Sequence, residues 1–187
     1  MVSQHTVTIE DLQASDKDAI RQAAEILVAA FAENWATAWP TLADALEEVY
    51  DSLADEHISR IARADDGRVI GWIGGIPEYD NHAWELHPLC VHPDWQGRGV
   101  GKALVLDFEQ HVALRGGGTI TLGTDDENNM TSIGGVDLYP DVLGHLANIR
   151  NLKNHPYTFY QKLGYTLVGV IPDANGFGKP DILMAKR

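Results

Sequence analysis

One cysteine, Cys90, occurs in 187 residues. An internal disulfide is excluded, and the composition fits a reducing compartment. No apolar run approaches the roughly 20 residues needed to cross a bilayer, so no membrane partner is expected. The opening residues Met1-Val2-Ser3-Gln4-His5 have neither a basic start nor an apolar stretch, and no secretory signal is read there. The expected location is the cytoplasm. Positive charge is also scarce: 14 Lys and Arg against 27 Asp and Glu give a formal net charge of −13. A surface of that sign repels nucleic acid and anionic lipid and attracts cations. Taken alone, the acidity serves solubility; beside an anionic ligand it also suits a cationic substrate. Hydrophobic content of 44% and charged content of 22% are ordinary for a globular chain, and the length suits one domain over residues 1–187.

The patterning gives the order of elements. Thr6–Ile9 alternates as a short strand. Ser15 or Asp16 caps a helix reaching about Ala32, with Ile20, Ala24, Leu27, Val28 and Phe31 at helical spacing. A second helix, Thr41–Leu53, places Leu42, Leu46, Val49, Tyr50 and Leu53 on one side. His57–Ala64 and Val69–Pro77 read as strands joined by the turn Asp65-Asp66-Gly67-Arg68. A long strand, Trp84–Val91, follows. The spacing predicts a helix over Val100–Leu114, ended by Gly116-Gly117-Gly118, and then a strand over Thr119–Gly123. Residues 124–154 are polar and irregular, with a short helix near Asp141–Asn148; a loop of that length serves function or an interface. A helix over His155–Leu163 and strands over Tyr165–Ile171 and Pro180–Met184 close the chain.

The most informative stretch is Gln96-Gly97-Arg98-Gly99-Val100-Gly101, running into Lys102. Strand, glycine-rich turn and helix in that order aim free backbone N–H groups and the positive helix end at one point, an anion cradle. A P-loop is excluded, because Gly101-Lys102 is followed by Ala103 and position 96 is Gln. The dinucleotide fingerprint is excluded, because its third glycine is Leu104 and the tract His92–Gln96 separates the turn from the strand. The pattern that fits is Gln/Arg-x-x-Gly-x-Gly/Ala, on Gln96, Gly99 and Gly101. It resembles the acetyl-CoA pyrophosphate loop of the GCN5-related N-acetyltransferase superfamily.

Within that superfamily the chain resembles the aminoglycoside 6′-N-acetyltransferases. The matching stretches are Glu85-Leu86-His87-Pro88-Leu89, Leu122–Glu127, His155–Tyr165 and Pro172–Ile182, roughly the C-terminal half of the chain. The resemblance implies an α/β (α+β) acetyltransferase fold, a mixed central sheet splayed between strands 4 and 5 with helices on both faces. It implies acetyl-CoA as cosubstrate, no metal, a small polycationic acceptor and, by analogy, a homodimer.

Acetyl transfer from a thioester to an amine needs deprotonation of the amine, stabilisation of an oxyanion, protonation of the leaving thiolate, and alignment. At period two, Glu85, His87 and Leu89 share one strand face, and Cys90 lies on the opposite one. A carboxylate at Glu85 binds an ammonium and takes its proton; the plainer reading is a surface strand residue. His87 stays open between the acceptor site and a satisfied core histidine. The resemblance places Glu85 and His87 in the substrate site, the backbone of Leu89, Cys90 and Val91 along the pantetheine arm on a bulged strand, and the cofactor phosphates on Gln96, Gly97, Arg98, Gly99, Val100, Gly101 and Lys102. It also makes the Tyr160 phenol the acid that protonates the departing sulfur; the plainer reading is packing among Tyr157, Phe159 and Tyr165. Cys90 reads as a buried structural thiol. Asp125, Asp126 and Glu127 at a strand end lack the spacing of a calcium loop and suit a polycation. Asp125 and Asp126 are assigned to the acceptor, and Trp35, Glu47 and Glu48 are further candidates for its wall. His82, His87 and His92 recur at a spacing that suits no metal. The rival readings are the same fold acting on a polyamine, a lysine or a protein N-terminus, and a non-catalytic coenzyme A-binding or interaction module.

Overall fold

The computed structural model describes residues 7–187. Thr6, where the first expected strand begins, and the opening residues read for a signal lie outside the described residues. The chain divides into two compact units, one ending at Gly118 and the other running from Thr119 to Arg187.

The first unit is built on four antiparallel neighbours: β1 (Thr8–Asp11), β2 (Ile58–Arg63), β3 (Val69–Glu78) and β4 (Ala83–Val91). Helix α1 (Lys17–Phe31) starts where expected, because the Asp16 carboxylate accepts the Ala19 N–H at 2.9 Å. Its stripe Ala19, Ile20, Ala23, Ala24 and Leu27 is fully buried. Helix α2 (Leu42–Asp51) opens on a reciprocal capping box between Thr41 and Asp44. It ends two residues before the expected Leu53. Its buried stripe is Ala45 and Val49, with Leu46 partly buried, whereas Leu42 and Tyr50 are largely exposed. The small Ala45 allows close packing on α1, and Tyr50 turns outward beneath the Lys17 ammonium, 5.2 Å from its ring.

Helix α3 (Val100–Leu114) has the expected bounds and buries Val100, Leu104, Val105, Phe108 and Val112. Alternate positions of β3 receive the two helical layers. A Cβ at Gly71 would meet Leu104 and Val100, and one at Gly75 would meet Phe108. Trp72 instead joins the core of α1 and α2. Helices therefore cover both faces of this part of the sheet.

Strand β4 carries a bulge. Ile73 pairs with Leu89 and Gly75 with Leu86, so three steps of β4 oppose two of β3. The extra residue falls at His87-Pro88. It fits because β3 has Gly74 there, where a Cβ would collide with the His87 carbonyl. The bulge changes the facing expected from period two. Glu85 lies opposite Ile76, on the same β3 parity as Trp72, while Leu89 lies opposite Ile73 on the other. Cys90, opposite Trp72, shares the face of Glu85 rather than opposing it.

The second unit contains β5 (Thr119–Asp125), α4 (Val142–Ala147), α5 (Tyr157–Lys162), β6 (Thr166–Ile171) and β7 (Asp181–Lys186). Strand β7 pairs antiparallel with both β5 and β6. Pairing of Thr124 with Ile182 and of Asp125 with Asp181 extends β5 beyond the expected Gly123. Ile133, Leu138, Leu146 and Ile182 form a small core beneath the excursion between β5 and α5.

Candidate active site

The turn before α3 has the geometry of an anion cradle. Gly99 is the N-cap, with a left-handed φ of +88°, and supplies no side-chain cap. The first intrahelical bond runs from Ala103 N to Gly99 O at 3.0 Å. The N–H groups of Val100, Gly101 and Lys102 therefore point out of the helix end without an intrahelical acceptor, and the helix dipole adds positive potential. Arg98 and Lys102 are exposed beside them, with the Arg98 guanidinium 5.3 Å from the Trp95 ring centre. Gln96 contributes by holding the turn: its Nε2 donates to Val91 O at 3.1 Å, tying the end of β4 to the loop. Backbone groups of Leu89, Cys90 and Val91 lie in register with Ile73, Trp72 and Gly71.

Burial pushes the Cys90 thiol up to about 12. It stays protonated at neutral pH and is no nucleophile, which bears out the reading of a structural thiol. That conclusion now rests on burial and no longer on facing.

Glu85 and His87 are half-buried and alternate along β4 with the buried Trp84, Leu86 and Pro88. No hydrogen bond or ion pair among the described residues engages the Glu85 carboxylate. The His87 imidazole faces α2, with Nε2 3.6 Å from Glu48 Oε1. Trp35 packs on Phe31 at 5.6 Å between ring centres. The aromatic ring that reaches His87 is Trp39, at 5.9 Å, itself edge-on to Phe31 at 4.9 Å. Trp39 was not anticipated. Its signal was its place in the aromatic series Phe31, Trp35 and Trp39; α1 ends at Phe31, so the series runs on into a turn-rich connection.

In the second unit Tyr160 is 8% exposed on α5, edge-on to Phe159 and Tyr165 at 5.0 and 5.7 Å. Burial raises its phenol well above the usual range, so the proton stays on at neutral pH. Asp125 is half-buried, and its carboxylate accepts from Asn175 Nδ2. Asp126 departs from its expected place. It is fully buried, and its carboxylate accepts from Met130 N at 2.6 Å, Thr131 N at 2.8 Å and Thr131 Oγ1 at 2.7 Å. Three donors hold that charge inside the loop, so Asp126 shapes the excursion. Glu127 pairs with Lys179 at 3.5 Å.

His155 is a second residue whose importance was missed. It is 1% exposed, and desolvation lowers its pKa from the ordinary 6.5. Tyr157 N donates to Nδ1 at 3.2 Å, so Nε2 carries the proton and donates to Asp125 O at 3.0 Å. One neutral ring thus ties the end of β5 to the first turn of α5, the helix that carries Tyr160. Its only sequence signal was its place at the head of the block His155–Tyr165.

Among the described residues no group of three or more His, Cys, Asp or Glu is placed to hold a metal ion, and no helix is long and apolar enough to cross a membrane.

A strand, an uncapped glycine turn and a helix of this geometry form a cradle suited to the phosphates of a ligand. The chain belongs to the Acetyltransferase (GNAT) family, whose model it matches over residues 20–139, and it has the acetyltransferase fold. It is similar to a crystal structure of aminoglycoside 6′-N-acetyltransferase complexed with coenzyme A, at 40% identity, 96% coverage of both chains and a TM-score of 0.86. It is likewise similar to the aminoglycoside 6′-N-acetyltransferase from Enterococcus faecium, at 40% identity, 96% coverage of both chains and a TM-score of 0.84. An aminoglycoside N(6′)-acetyltransferase type 1 of Stenotrophomonas maltophilia is 38% identical over 94 residues, 46% of this chain and 61% of that protein. The chain spans 44–61% of the length of curated relatives it matches.

Proposed function

We propose that this acetyltransferase moves the acetyl group of acetyl-CoA to the 6′-amine of aminoglycoside antibiotics, by direct attack in a ternary complex, and so confers resistance. The observation that carries the reading is the likeness to the coenzyme A-bound aminoglycoside 6′-N-acetyltransferase, at 40% identity over 96% of both chains. The uncapped start of α3 supports the donor side, since backbone N–H groups and the helix end suit a pyrophosphate.

In the proposed step the amine nitrogen bonds to the thioester carbonyl carbon, and the carbon–sulfur bond breaks. The leaving thiolate takes the phenolic proton of Tyr160, and the amine gives up its proton to Glu85 or to a water that Glu85 orients. The backbone at Leu89 steadies the thioester carbonyl. Asp125 offsets further ammonium charge on the acceptor, with Glu85 nearest the reacting nitrogen; Asp126 leaves this set, being committed to the loop. The net charge of −13 suits a polycationic acceptor. We extend the reading to a cytoplasmic enzyme, where its acetyl donor is made, and to a homodimer by family analogy.

The test is a thiol-release assay with an amine panel, followed by mass spectrometry. Kanamycin and tobramycin, which have a 6′-amine, gain one acetyl group, and an analogue with a 6′-hydroxyl is not modified there. Untouched kanamycin beside rapid acetylation of spermidine or a lysine peptide would leave the family standing and remove the antibiotic.

A further inference from the structure

Three groups from separate stretches of the first unit close on one another beside Glu85. Glu48 on α2 has a side chain only 26% exposed. Its Oε2 accepts the Trp39 indole N–H at 3.2 Å, from the connection between α1 and α2. Its Oε1 stands 3.6 Å from Nε2 of His87 on β4, and that contact becomes an ion pair whenever the imidazole is protonated. The two rings lie 5.9 Å apart, and the His87 side chain is 40% exposed, so the cluster is open to a ligand on one side.

A partly buried carboxylate is costly to hold without donors, and here both of its oxygens face one. The reverse also applies. Besides its ring packing, Trp39 has Glu48 as the partner of its indole N–H, and among the described residues Glu48 is the carboxylate paired with the His87 ring. The hydrogen bond holds the indole in place beside the His87 ring, and an aromatic face at that position suits a ligand ammonium.

We infer that Glu48 is a positioning residue of the acceptor site, which holds Trp39 and His87 in the arrangement that meets the incoming amine. The inference rests on the reading of the Glu85 face as the acceptor side, and it does not require the amine to be an aminoglycoside. Glu48 acts through Trp39 and His87; the reacting atoms remain with Glu85 and Tyr160.

The experiment takes as acceptor whichever of kanamycin, spermidine or a lysine peptide the wild-type enzyme acetylates fastest, so the outcome of the antibiotic reading and the outcome for Glu48 are read separately. Glu48→Ala raises the acceptor KM by about three- to tenfold, the loss of roughly one net hydrogen bond, and leaves the acetyl-CoA KM within about twofold. Glu48→Gln, whose amide oxygen still accepts the indole N–H, recovers most of that rise. Trp39→Phe gives a similar rise, and combining it with Glu48→Ala adds little, because the two changes remove one interaction. Should Glu48→Ala fail to fold, Trp39→Phe and Glu48→Gln carry the same comparison. An unchanged acceptor KM in folded variants, additive effects of Glu48→Ala and Trp39→Phe, or a parallel rise of both KM values overturns the inference.

Discussion

Replacing Gly99 tests the donor side most directly, because the structure separates two costs that usually coincide. Gly99 sits at φ +88°, and a Cβ built on it meets nothing within 4 Å. A side chain there encounters no collision in the free enzyme; the cost is conformational. A residue with a Cβ in the left-handed region loses about 1–2 kcal/mol, and a β-branched one loses more. For a chain of this length each kcal/mol lowers Tm by about 2–4 °C. Gly99→Val therefore either keeps the turn with Tm lowered by about 4 °C or more, or relaxes φ and swings the N–H groups of Val100, Gly101 and Lys102 off their common point. The new methyls also occupy the space from which a phosphate approaches. Both routes weaken acetyl-CoA, and an affinity loss of about tenfold corresponds to only 1.4 kcal/mol. Gly67 supplies the control, with φ +84° and equally open surroundings, in the turn between β2 and β3. Gly67→Val incurs the same strain far along the chain from the cradle. Calorimetric titration with acetyl-CoA and thermal melts on both variants decide the matter. Similar melting losses with affinity reduced only in Gly99→Val support the cradle. Equal acetyl-CoA affinity in the two folded variants would refute it.

Tyr160→Phe keeps the buried ring and removes the proton, so single-turnover chemistry slows by up to about 10²–10⁴-fold, while binding of both substrates stays within twofold by calorimetry; an unchanged chemical rate removes Tyr160 from the mechanism. Glu85→Gln lowers kcat and raises the acceptor KM with acetyl-CoA affinity intact, and the wild-type acceptor KM rises with salt as the attraction is screened; a variant with wild-type kinetics at low salt contradicts the assignment. His155 is neutral in the fold, with its pKa lowered from 6.5 chiefly by desolvation. Below 6.5 the unfolded chain binds a proton that the native ring resists, so stability contributed by this site is full above 6.5 and falls as pH drops towards the native pKa. Denaturant melts at pH 7.5 and 5.5 show a larger loss on acidification in wild type than in His155→Gln, and equal losses in the two proteins negate the assignment.

Signals that act within a few residues were legible. Asp16 and the Thr41–Asp44 pair begin helices because their oxygens meet backbone donors three residues away, which needs no tertiary context. The glycines around α3 bound it at both ends. The roles of Asp125 and Asp126 were not separable in this way. The two side chains are chemically identical and adjacent, and their difference is made by where the chain goes next. Residues 130 and 131 return their N–H groups to Asp126, and Asn175, 50 positions away, returns its amide to Asp125. Trp39 was obscured for the same reason, and Glu48, named beside Glu47 for the acceptor wall, could not be told from it, since the meeting with His87 depends on where α2 brings Glu48 to β4.

The bulge in β4 shows most clearly what alternation cannot report. Period two assigns each strand residue to a face only while the register is unbroken. In β4 one added residue at His87-Pro88 reverses the parity, so Glu85 and Cys90 point the same way and Leu89 points the other. Nothing in the run Glu85–Val91 marks that reversal by hydrophobicity. Burial alternates through it without a break, because the residues on either side of the bulge face different helical layers that are both apolar. A clue lay in the partner strand, where Gly74 and Gly75 stand side by side. Gly75 leaves room for Phe108, and Gly74 leaves room for the His87 carbonyl. Gly74→Ala accordingly presses on the backbone of the bulge itself. The bulge therefore has a functional reading in the proposed reaction. Glu85 and His87 precede the break and share a face by simple alternation, while the bulge turns Leu89 away from the facing that unbroken pleating would give it.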